Sequence, residues 1–307
     1  MSSFHVSQFD IFFLSYDEPN ADKHYADLCE KAPWAKRVHG VKGFDAAHRA
    51  CAEQSETDWF VSVDADNIVR PEFFDEMVEF DPVATPNRCF SWNGVNMING
   101  LMYGNGGLKL WSKNFVLNMN SHENADDPRK AVDFCWEDDY KQIHKTFSEV
   151  WVNGSPYQAF RVGYREAVKL TLDRGGRVDP ERMKKQLHPV NLRNARIWSC
   201  VGSDFDNGMF AMLGTRMGWA RMCDLNWDYT PIRDYDWFQS LWSGVVDMLG
   251  GEAAIKNASR HGAPQGLMGD LLAQYGSEVS KQTKIALPIL SADESEFFRE
   301  SFRLRND

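Results

Sequence analysis

The chain has 307 residues, a hydrophobic fraction of 43% and a formal net charge of −10 at pH 7. This length fits one large α/β domain, or one domain with a helical addition. The acidic balance argues against a protein that coats nucleic acid with its whole surface. The six cysteines are far apart in the sequence and form no Cys-x-x-Cys pair, which argues against a disulfide framework or a zinc knuckle.

The amino-terminal sequence bears on the compartment. Residues 1–8 lack the basic and then apolar build of a secretory signal peptide, and the apolar run at 11–14 is much too short to span a bilayer. We therefore expect a cytoplasmic protein with no membrane partner.

Strand and helix signals alternate over the first 65 residues. Apolar runs of strand length and helix-length periodic segments follow one another, separated by Pro, Gly and Asp turns. The predicted order is strand 10–16, helix 20–32, strand 37–41, helix 45–54 and strand 59–63. This alternation predicts an α/β fold with an open, mostly parallel, doubly wound sheet.

The pattern changes to helices after residue 150, and we expect a core over 1–150 and a helical region over 151–307. The clearest helix is predicted over 156–174, because Ser155 and Gln158 form a capping box and Gly175 follows its end. Its cations Arg161, Arg165 and Lys169 lie four residues apart. They belong to a locally basic stretch, residues 158–197, which holds ten Lys or Arg against four Asp or Glu. This stretch forms either a solvated helix face or a patch that faces a diphosphate or a polyanionic acceptor.

The tripeptide Asp64-Ala65-Asp66 follows a buried apolar strand. Ligands of open α/β sheets bind at the carboxyl ends of the strands, and divalent cations bridge carboxylates to substrate phosphates. This position predicts a clamp in which Asp64 and Asp66 hold Mn²⁺ or Mg²⁺ on a diphosphate. The alternative is a pair of solvated turn aspartates.

Several short segments, taken in chain order, resemble nucleotide-sugar-dependent glycosyltransferases of the GT-A fold. The turn at 15–18 (SYDE) is similar to the family's nucleoside-binding turn, and 43–49 (GFDAAHR) is similar to the helix start beside the nucleotide. The strand and Asp-x-Asp at 60–66 resemble the family's metal-binding strand. The resemblance assigns these residues to donor binding: Ser15, Tyr16, Glu18, Asp45, His48, Asp64 and Ala65. The family's Asp-Asp-Gly-Ser segment is absent, and Asp45 is its nearest substitute.

Two further segments extend the resemblance to about residue 140. Gly106 and Gly107 are similar to a glycine pair whose backbone lies under the donor sugar. Residues 136–138 (WED) resemble the acidic motif that supplies the catalytic base in inverting members, so Asp138, with Glu137 as second choice, is the expected base. The acidic cluster is alternatively a charged helix start, and a retaining enzyme needs no such base.

A third metal ligand comes from a distant histidine in this fold, and His188 is the candidate. The alternative for His188 is an ordinary exposed imidazole ahead of Pro189. The resemblance thus implies a glycosyltransferase, hexosyl or pentosyl, that moves a sugar from a nucleotide-diphosphate donor, with UDP-sugar favoured, to a hydroxyl acceptor.

Three other functions stay open at this point. Residues 160–166 look loosely like glycosyltransferases of large bacteriophages, which suggests a DNA glycosyltransferase for hydroxymethylated pyrimidines in a bacterial or phage-infected cell. The second is a nucleotide-sugar-binding protein without turnover. The third is a nucleotidyltransferase, which the acidic turn at 17–19 disfavours because a phosphate loop there is normally basic.

Overall fold

The structure is a computed structural model, and it describes residues 2–103, 106–121, 124, 126, 139–258, 260, 262 and 264–304. The chain forms two compact units, Met1–Met97 with Met102–Trp151, and Ile98–Leu101 with Val152–Asp307. Within the described residues the first unit contains most of the strands and the second most of the helices. No helix among these residues is both long enough and apolar enough to cross a lipid bilayer.

The first unit is an α/β unit. Short 3₁₀ turns at Val6–Gln8 and Pro71–Asp75 accompany its regular elements. In chain order the elements are β1 (Ser2–His5), β2 (Asp10–Ser15), α1 (Ala21–Lys31), β3 (Lys36–His39), α2 (Phe44–Gln54), β4 (Trp59–Asp64), β5 (Asn67–Val69), β6 (Met77–Phe80), β7 (Cys89–Asn96), β8 (Met102–Tyr103), β9 (Leu108–Ser112), α3 (Lys113–Asn118) and β10 (Tyr140–Val150).

The main sheet of the described residues has the strand order β3-β2-β4-β9-β7-β10-β5, with β8 beside β7. The β2 strand is parallel to β3 and β4, as the sequence predicts, and β10 is parallel to β7. The β9 strand runs antiparallel between β4 and β7, and β5 and β8 are also antiparallel to their neighbours. The α/β class is therefore confirmed, but the sheet is mixed rather than mostly parallel.

Both faces of this sheet are covered, which is why its central strands are apolar at nearly every position. Side chains alternate between two buried clusters: Phe13 and Val61 belong to one, Phe12 and Phe60 to the other. Because the period of a strand is two residues, Ser62 and Asp64 lie on the same face as Phe60. This alternation directs the Asp64 side chain to the Phe60 face at the carboxyl end of β4.

The second unit is mostly helical, and a short hairpin follows its first helix. Its elements are α4 (Pro156–Leu170), β11 (Leu172–Asp173), β12 (Gly176–Arg177), α5 (Met183–Gln186), α6 (Pro189–Cys200), α7 (Gly208–Met222), α8 (Tyr235–Met248), α9 (Glu252–Ala258), α10 (Gly266–Thr283) and α11 (Ala292–Leu304). The predicted helix over 156–174 ends earlier, at Leu170, and Gly176 belongs to the hairpin. Its predicted start is confirmed, because Ser155 Oγ accepts a hydrogen bond from the Gln158 amide at 3.1 Å.

Helix α7 is the centre of the second unit. It is apolar on all sides, and all its residues except Arg221 are buried, as expected of a helix surrounded by protein. A Cβ on Gly214 would overlap the carbonyl oxygen of Phe160 in α4, so the two helix backbones are in close contact. The buried Arg216 of α7 donates hydrogen bonds to four carbonyl oxygens, those of Ser199, Leu272, Leu287 and Pro288.

Candidate functional site

Asp64 and Asp66 lie where β4 ends and β5 begins. The Asp64 amide donates to the carbonyl of Gly107 at 3.0 Å, which extends the β4–β9 ladder to the end of the strand. The Asp66 carbonyl accepts a hydrogen bond from the Trp151 amide at 2.7 Å. Backbone bonds on either side therefore hold the turn that carries both carboxyl groups.

Asn67 was not among the predicted site residues, yet its side chain is part of this turn. It is buried, and its Nδ2 donates to Asp66 Oδ1 at 2.6 Å. Its Oδ1 is also buried and has no hydrogen-bond donor among the described residues. Asn67 thus adds an oxygen without a described hydrogen-bond donor beside the two carboxyl groups. Its position directly after Asp-x-Asp was the sequence signal that could have identified it.

The two aspartates lie in surroundings that disfavour negative charge. Burial raises the pKa of Asp66 to about 7, and the charges of Asp64 and Glu18 add to this rise. Burial also raises the pKa of Asp64; the Lys109 ammonium partly offsets this rise and the Glu18 carboxylate adds to it. Both residues keep part of their surface accessible to solvent. Their carboxyl groups are therefore desolvated by the dense protein around them and not by complete burial. A positive charge entering here would relieve the repulsion.

Gly107 borders the same carboxyl group. It has a φ of +77°, and a Cβ added to it would lie 2.5 Å from Asn67 Nδ2 and 2.8 Å from Asp64 Oδ2. Gly106 also makes a close backbone contact, since its Cβ would lie 2.7 Å from the amide nitrogen of Gly94 on β7. The predicted glycine pair therefore stands beside the Asp64 turn, and neither position has room for a side chain.

Lys109 is a second residue that the sequence analysis missed. It lies in β9 opposite Ser62 of β4 and Ser91 of β7, and its side chain is buried. Lys109 and Asp64 are diagonal neighbours on one face of an antiparallel pair, a separation that a long side chain can bridge. A lysine inside the apolar strand 108–112 (LKLWS) was the signal, because a buried ammonium needs a partner of opposite charge.

The turn after β2 contains Ser15, Tyr16 and Glu18. Ser15 is buried and its Oγ accepts a hydrogen bond from Arg37 Nε at 2.8 Å, while Glu18 Oε2 accepts one from the Tyr16 amide at 2.7 Å. Tyr16 is 37% exposed, which leaves its ring accessible to a ligand. Since β2 is parallel to β4, this turn and the Asp64 turn lie at the same edge of the sheet.

Asp45 and His48 are on the first turns of α2, and both are buried. Asp45 accepts hydrogen bonds from the amide of Ser121 at 2.9 Å, from its Oγ at 2.5 Å and from Asn124 Nδ2 at 2.7 Å. His48 Nδ1 is 2.9 Å from the Phe44 carbonyl, and its ring packs against Trp111. In the structure Asp45 binds Ser121 and Asn124, and His48 packs in the core. The donor-binding role of both residues stays a prediction.

Ala65 contributes its backbone. Its carbonyl oxygen lies 2.8 Å from Nδ1 of the buried His24 of α1, whose pKa is lowered by burial. This contact ties α1 to the turn between the two aspartates. His24 is a supporting residue that lay outside the predicted set.

His188 is exposed and caps α6, its Nδ1 accepting a hydrogen bond from the Val190 amide at 3.4 Å. Within the described ranges, no three His, Cys, Asp or Glu side chains gather into a metal-binding group. The ligand role of His188 therefore stays a prediction. The two expected catalytic acids, Glu137 and Asp138, lie outside the described residues.

The predicted basic edge of α4 is largely occupied by neighbouring side chains. The Arg161 guanidinium lies 3.9 Å from the ring centre of Tyr235 in α8, and Lys169 pairs with Glu166 at 3.0 Å. None of the residues of α4 is exposed. The stacking partner comes from a helix some 70 residues later, so sequence spacing alone could not have revealed it.

Comparison with known proteins adds little. No known protein family matches the chain, and no curated protein matches it. Among solved structures, the crystal structure of a glycosyltransferase involved in the glycosylation of the major capsid of PBCV-1 gives a TM-score of 0.28 at 14% sequence identity, over 44% of this chain and 81% of that chain. A TM-score of this size does not establish a shared fold, so the similarity supports no conclusion about this chain.

Proposed function

We propose that this chain is a glycosyltransferase, hexosyl or pentosyl, that binds the diphosphate of a nucleotide sugar through Mn²⁺ or Mg²⁺ and transfers the sugar to a hydroxyl acceptor. The observation that supports this best is the pair of aspartates at the end of β4. Burial and the neighbouring carboxylates raise the pKa of both. Carboxylates that are costly to ionise alone are stabilised when a cation shares their site.

The donor set fits a hard divalent cation. Asp64 and Asp66 offer carboxylate oxygens, and Asn67 Oδ1 is a buried oxygen that no described group uses. Magnesium and manganese accept one or two carboxylates and take their remaining ligands from phosphates and water. When bound, such a cation supplies Lewis-acid stabilisation of the charge that develops on the leaving diphosphate. His188 is a further ligand candidate under this proposal.

Other residues of the first unit would position the donor. The exposed ring of Tyr16 and the carboxylate of Glu18 stand at the sheet edge beside the aspartates, where the nucleoside would lie with Ser15 beneath it. Gly106 and Gly107 would let the donor sugar approach the backbone closely. The ammonium of the buried Lys109 partly offsets the rise in the pKa of Asp64.

The proposed transfer breaks the bond between the anomeric carbon and the diphosphate oxygen and forms a bond from that carbon to the acceptor oxygen. The electron pair of the broken bond leaves with the diphosphate. In an inverting reaction the acceptor's proton passes to a carboxylate, and Asp138, or Glu137, is the proposed base.

A donor-binding experiment tests the proposal. Thermal unfolding of the whole chain is recorded with UDP-sugars and GDP-sugars, each with and without Mn²⁺. We expect one nucleotide class to raise Tm only when Mn²⁺ is present, and sugar transfer to hydroxyl acceptors to appear by mass spectrometry with that donor. Asp66→Asn should remove both effects while the cation-free protein stays folded.

Two results would contradict the proposal. If no nucleotide sugar changes Tm with either metal, the site does not bind a donor. If a donor binds but no hydroxyl acceptor yields product, the chain is a nucleotide-sugar-binding protein without turnover.

A further inference from the structure

The second unit contains a strongly basic segment in an otherwise acidic chain. Residues 174–196 hold seven Arg or Lys and two Asp or Glu, a local charge of +5. Because the whole chain carries −10, the remaining residues carry −15. Such a separation of charge within one protein indicates a surface for a polyanion.

Buried apolar side chains fix which side of this segment faces the rest of the second unit. Met183 and Leu187 are buried, and so are Ala195, Ile197 and Trp198 on the inner side of α6, which packs on α4 and α7. The cations lie on the other side of the same elements, and all of them are exposed. We call them the basic face, and its members are Arg182, Lys184, Lys185, Arg193 and Arg196.

Among the described residues, the charges of the basic face have no anionic partner. None of the five makes an ion pair with any carboxylate of the described residues. Arg193 contacts two neutral groups, the Asn194 side chain at 3.1 Å and the Phe302 ring. Two cations of α4 differ, because Arg161 is covered by Tyr235 and Lys169 is paired with Glu166. The five cations are thus exposed and have no carboxylate partner in the described part of the chain, so their charge faces solvent.

The dimensions suit a nucleic acid backbone. Residues 182–186 and 189–196 are in helical turns joined by a short extended stretch, so the basic face spans at most about 27 Å. Phosphates follow one another along a duplex strand at about 3.4 Å of helix axis, so several lie within that span.

An anionic membrane is a poorer fit for the same charge. Helices that bind membrane surfaces combine cations with a broad exposed apolar face. Here most apolar side chains of α5 and α6 are buried, and Val190, 43% exposed, is the single large exposed hydrophobic residue of these two helices.

We propose that the basic face docks the phosphate backbone of nucleic acid. Resting on the proposed function, this makes a nucleic acid the molecule that presents the acceptor hydroxyl. Phosphate contacts of this kind position a protein on its substrate without reading sequence.

Fluorescence anisotropy with a labelled DNA duplex of about 20 base pairs tests this, without donor or metal. We expect wild-type binding to weaken steeply between about 50 and 200 mM NaCl. The combined variant Arg182→Gln, Lys184→Gln, Lys185→Gln and Arg196→Gln should bind at least about tenfold more weakly at the lower salt. Its slope of log Kd against log salt should fall by up to about 3.6, because each of the four lost phosphate contacts contributes about 0.9.

A matched control removes the same charge elsewhere. Lys23, Lys256, Arg260 and Lys281 are exposed and lie outside the basic face, and changing all four to Gln lowers the net charge equally. We expect the control to keep nearly wild-type binding, and circular dichroism to show both variants folded. An equal loss in the control, no binding by the wild type, or tighter binding to phosphatidylserine vesicles than to DNA would each overturn the proposal.

The DNA-binding measurement does not depend on whether the protein catalyses sugar transfer. DNA binding with no sugar transfer to any acceptor would refute the proposed function and leave the docking surface standing. Sugar transfer to a small sugar by a protein that does not bind DNA would support the proposed function and refute the docking surface.

Discussion

The amide of Asp64 donates a hydrogen bond to the carbonyl of Gly107 at 3.0 Å, and a Cβ at position 107 would lie 2.8 Å from Asp64 Oδ2. Gly107 thus holds the backbone of Asp64, the proposed metal ligand, and leaves space for the Asp64 carboxylate. Gly107 also adopts a φ of +77°, which side chains rarely tolerate.

Gly107→Ala should therefore impair the site as well as the fold. We expect it to lower the free energy of unfolding by about 1 kcal/mol for the positive φ, with a further loss from contact with Asp64 and Asn67, and to abolish the Mn²⁺-dependent rise in Tm with donor. Gly40→Ala is the control, because Gly40 has a φ of +75° and nothing within 4 Å of its added Cβ. A Gly107→Ala protein that matches Gly40→Ala in urea unfolding and keeps the metal response would show that this contact is unimportant.

Asp66→Asn should stabilise the metal-free protein at high pH. The pKa of Asp66 is about 7 in the folded chain, above its ordinary value of 3.8, so the folded state holds the proton more tightly than the unfolded state. The wild type therefore loses stability as pH rises from about 4 through 7, and the loss is complete above 7. Asparagine keeps the shape without the charge.

Urea unfolding in EDTA at pH 5 and pH 8 measures this effect. We expect the variant to exceed the wild type at pH 8 by on the order of 1–2 kcal/mol, allowing for solvent screening, and the difference to shrink towards pH 5. Asp81→Asn is a control of opposite sign, because hydrogen bonds from the Ala84 and Val83 amides lower the pKa of Asp81. A variant less stable than the wild type at pH 8 would show that Asp66 is stabilised as an anion without metal.

Asp45→Asn separates a structural role from a donor-binding role. The Asp45 carboxylate accepts three hydrogen bonds from Ser121 and Asn124, and an amide would turn one acceptor into a donor. We expect a loss of about 1.5–3 kcal/mol of stability and a change of less than about twofold in donor Kd. Ser121→Ala removes one of the three bonds and should cost less. A stable Asp45→Asn protein with weakened donor binding would instead support the role expected from the resemblance.

The sequence predicted the parts of this fold that depend on local signals. The apolar run before Asp64 predicted a buried strand, and the Ser155–Gln158 pair predicted the start of α4; both are found. Short-range patterns suffice there because strand burial and helix capping involve neighbours in sequence.

Features that depend on distant pairing were missed. The position of β9 between β4 and β7 reverses part of the sheet, and nothing in residues 108–112 specifies those partners. The burial of Lys109 follows from that position. In the sequence, the cations of α4 and those of residues 174–196 form one basic stretch. In the structure, Tyr235 of α8 covers Arg161 and no cation of α4 is exposed, so the exposed cations of the stretch are later ones.

Gly214→Ala should be among the most damaging small substitutions in the second unit. A Cβ at this position would overlap the carbonyl oxygen of Phe160 and lie 3.0 Å from the amide nitrogen of Tyr164, both backbone atoms of α4 that cannot move aside. We expect α4 and α7 to separate locally, at a cost of about 3 kcal/mol or more, which combines overpacking with lost contacts around the buried Tyr164.

Gly244→Ala in α8 is the matched control, since nothing lies within 4 Å of its added Cβ. Alanine there should raise stability by about 0.5–1 kcal/mol, because it favours the helix over glycine. Urea unfolding of both variants decides the matter: a Gly214→Ala protein as stable as Gly244→Ala would mean that the two helix backbones are not in contact.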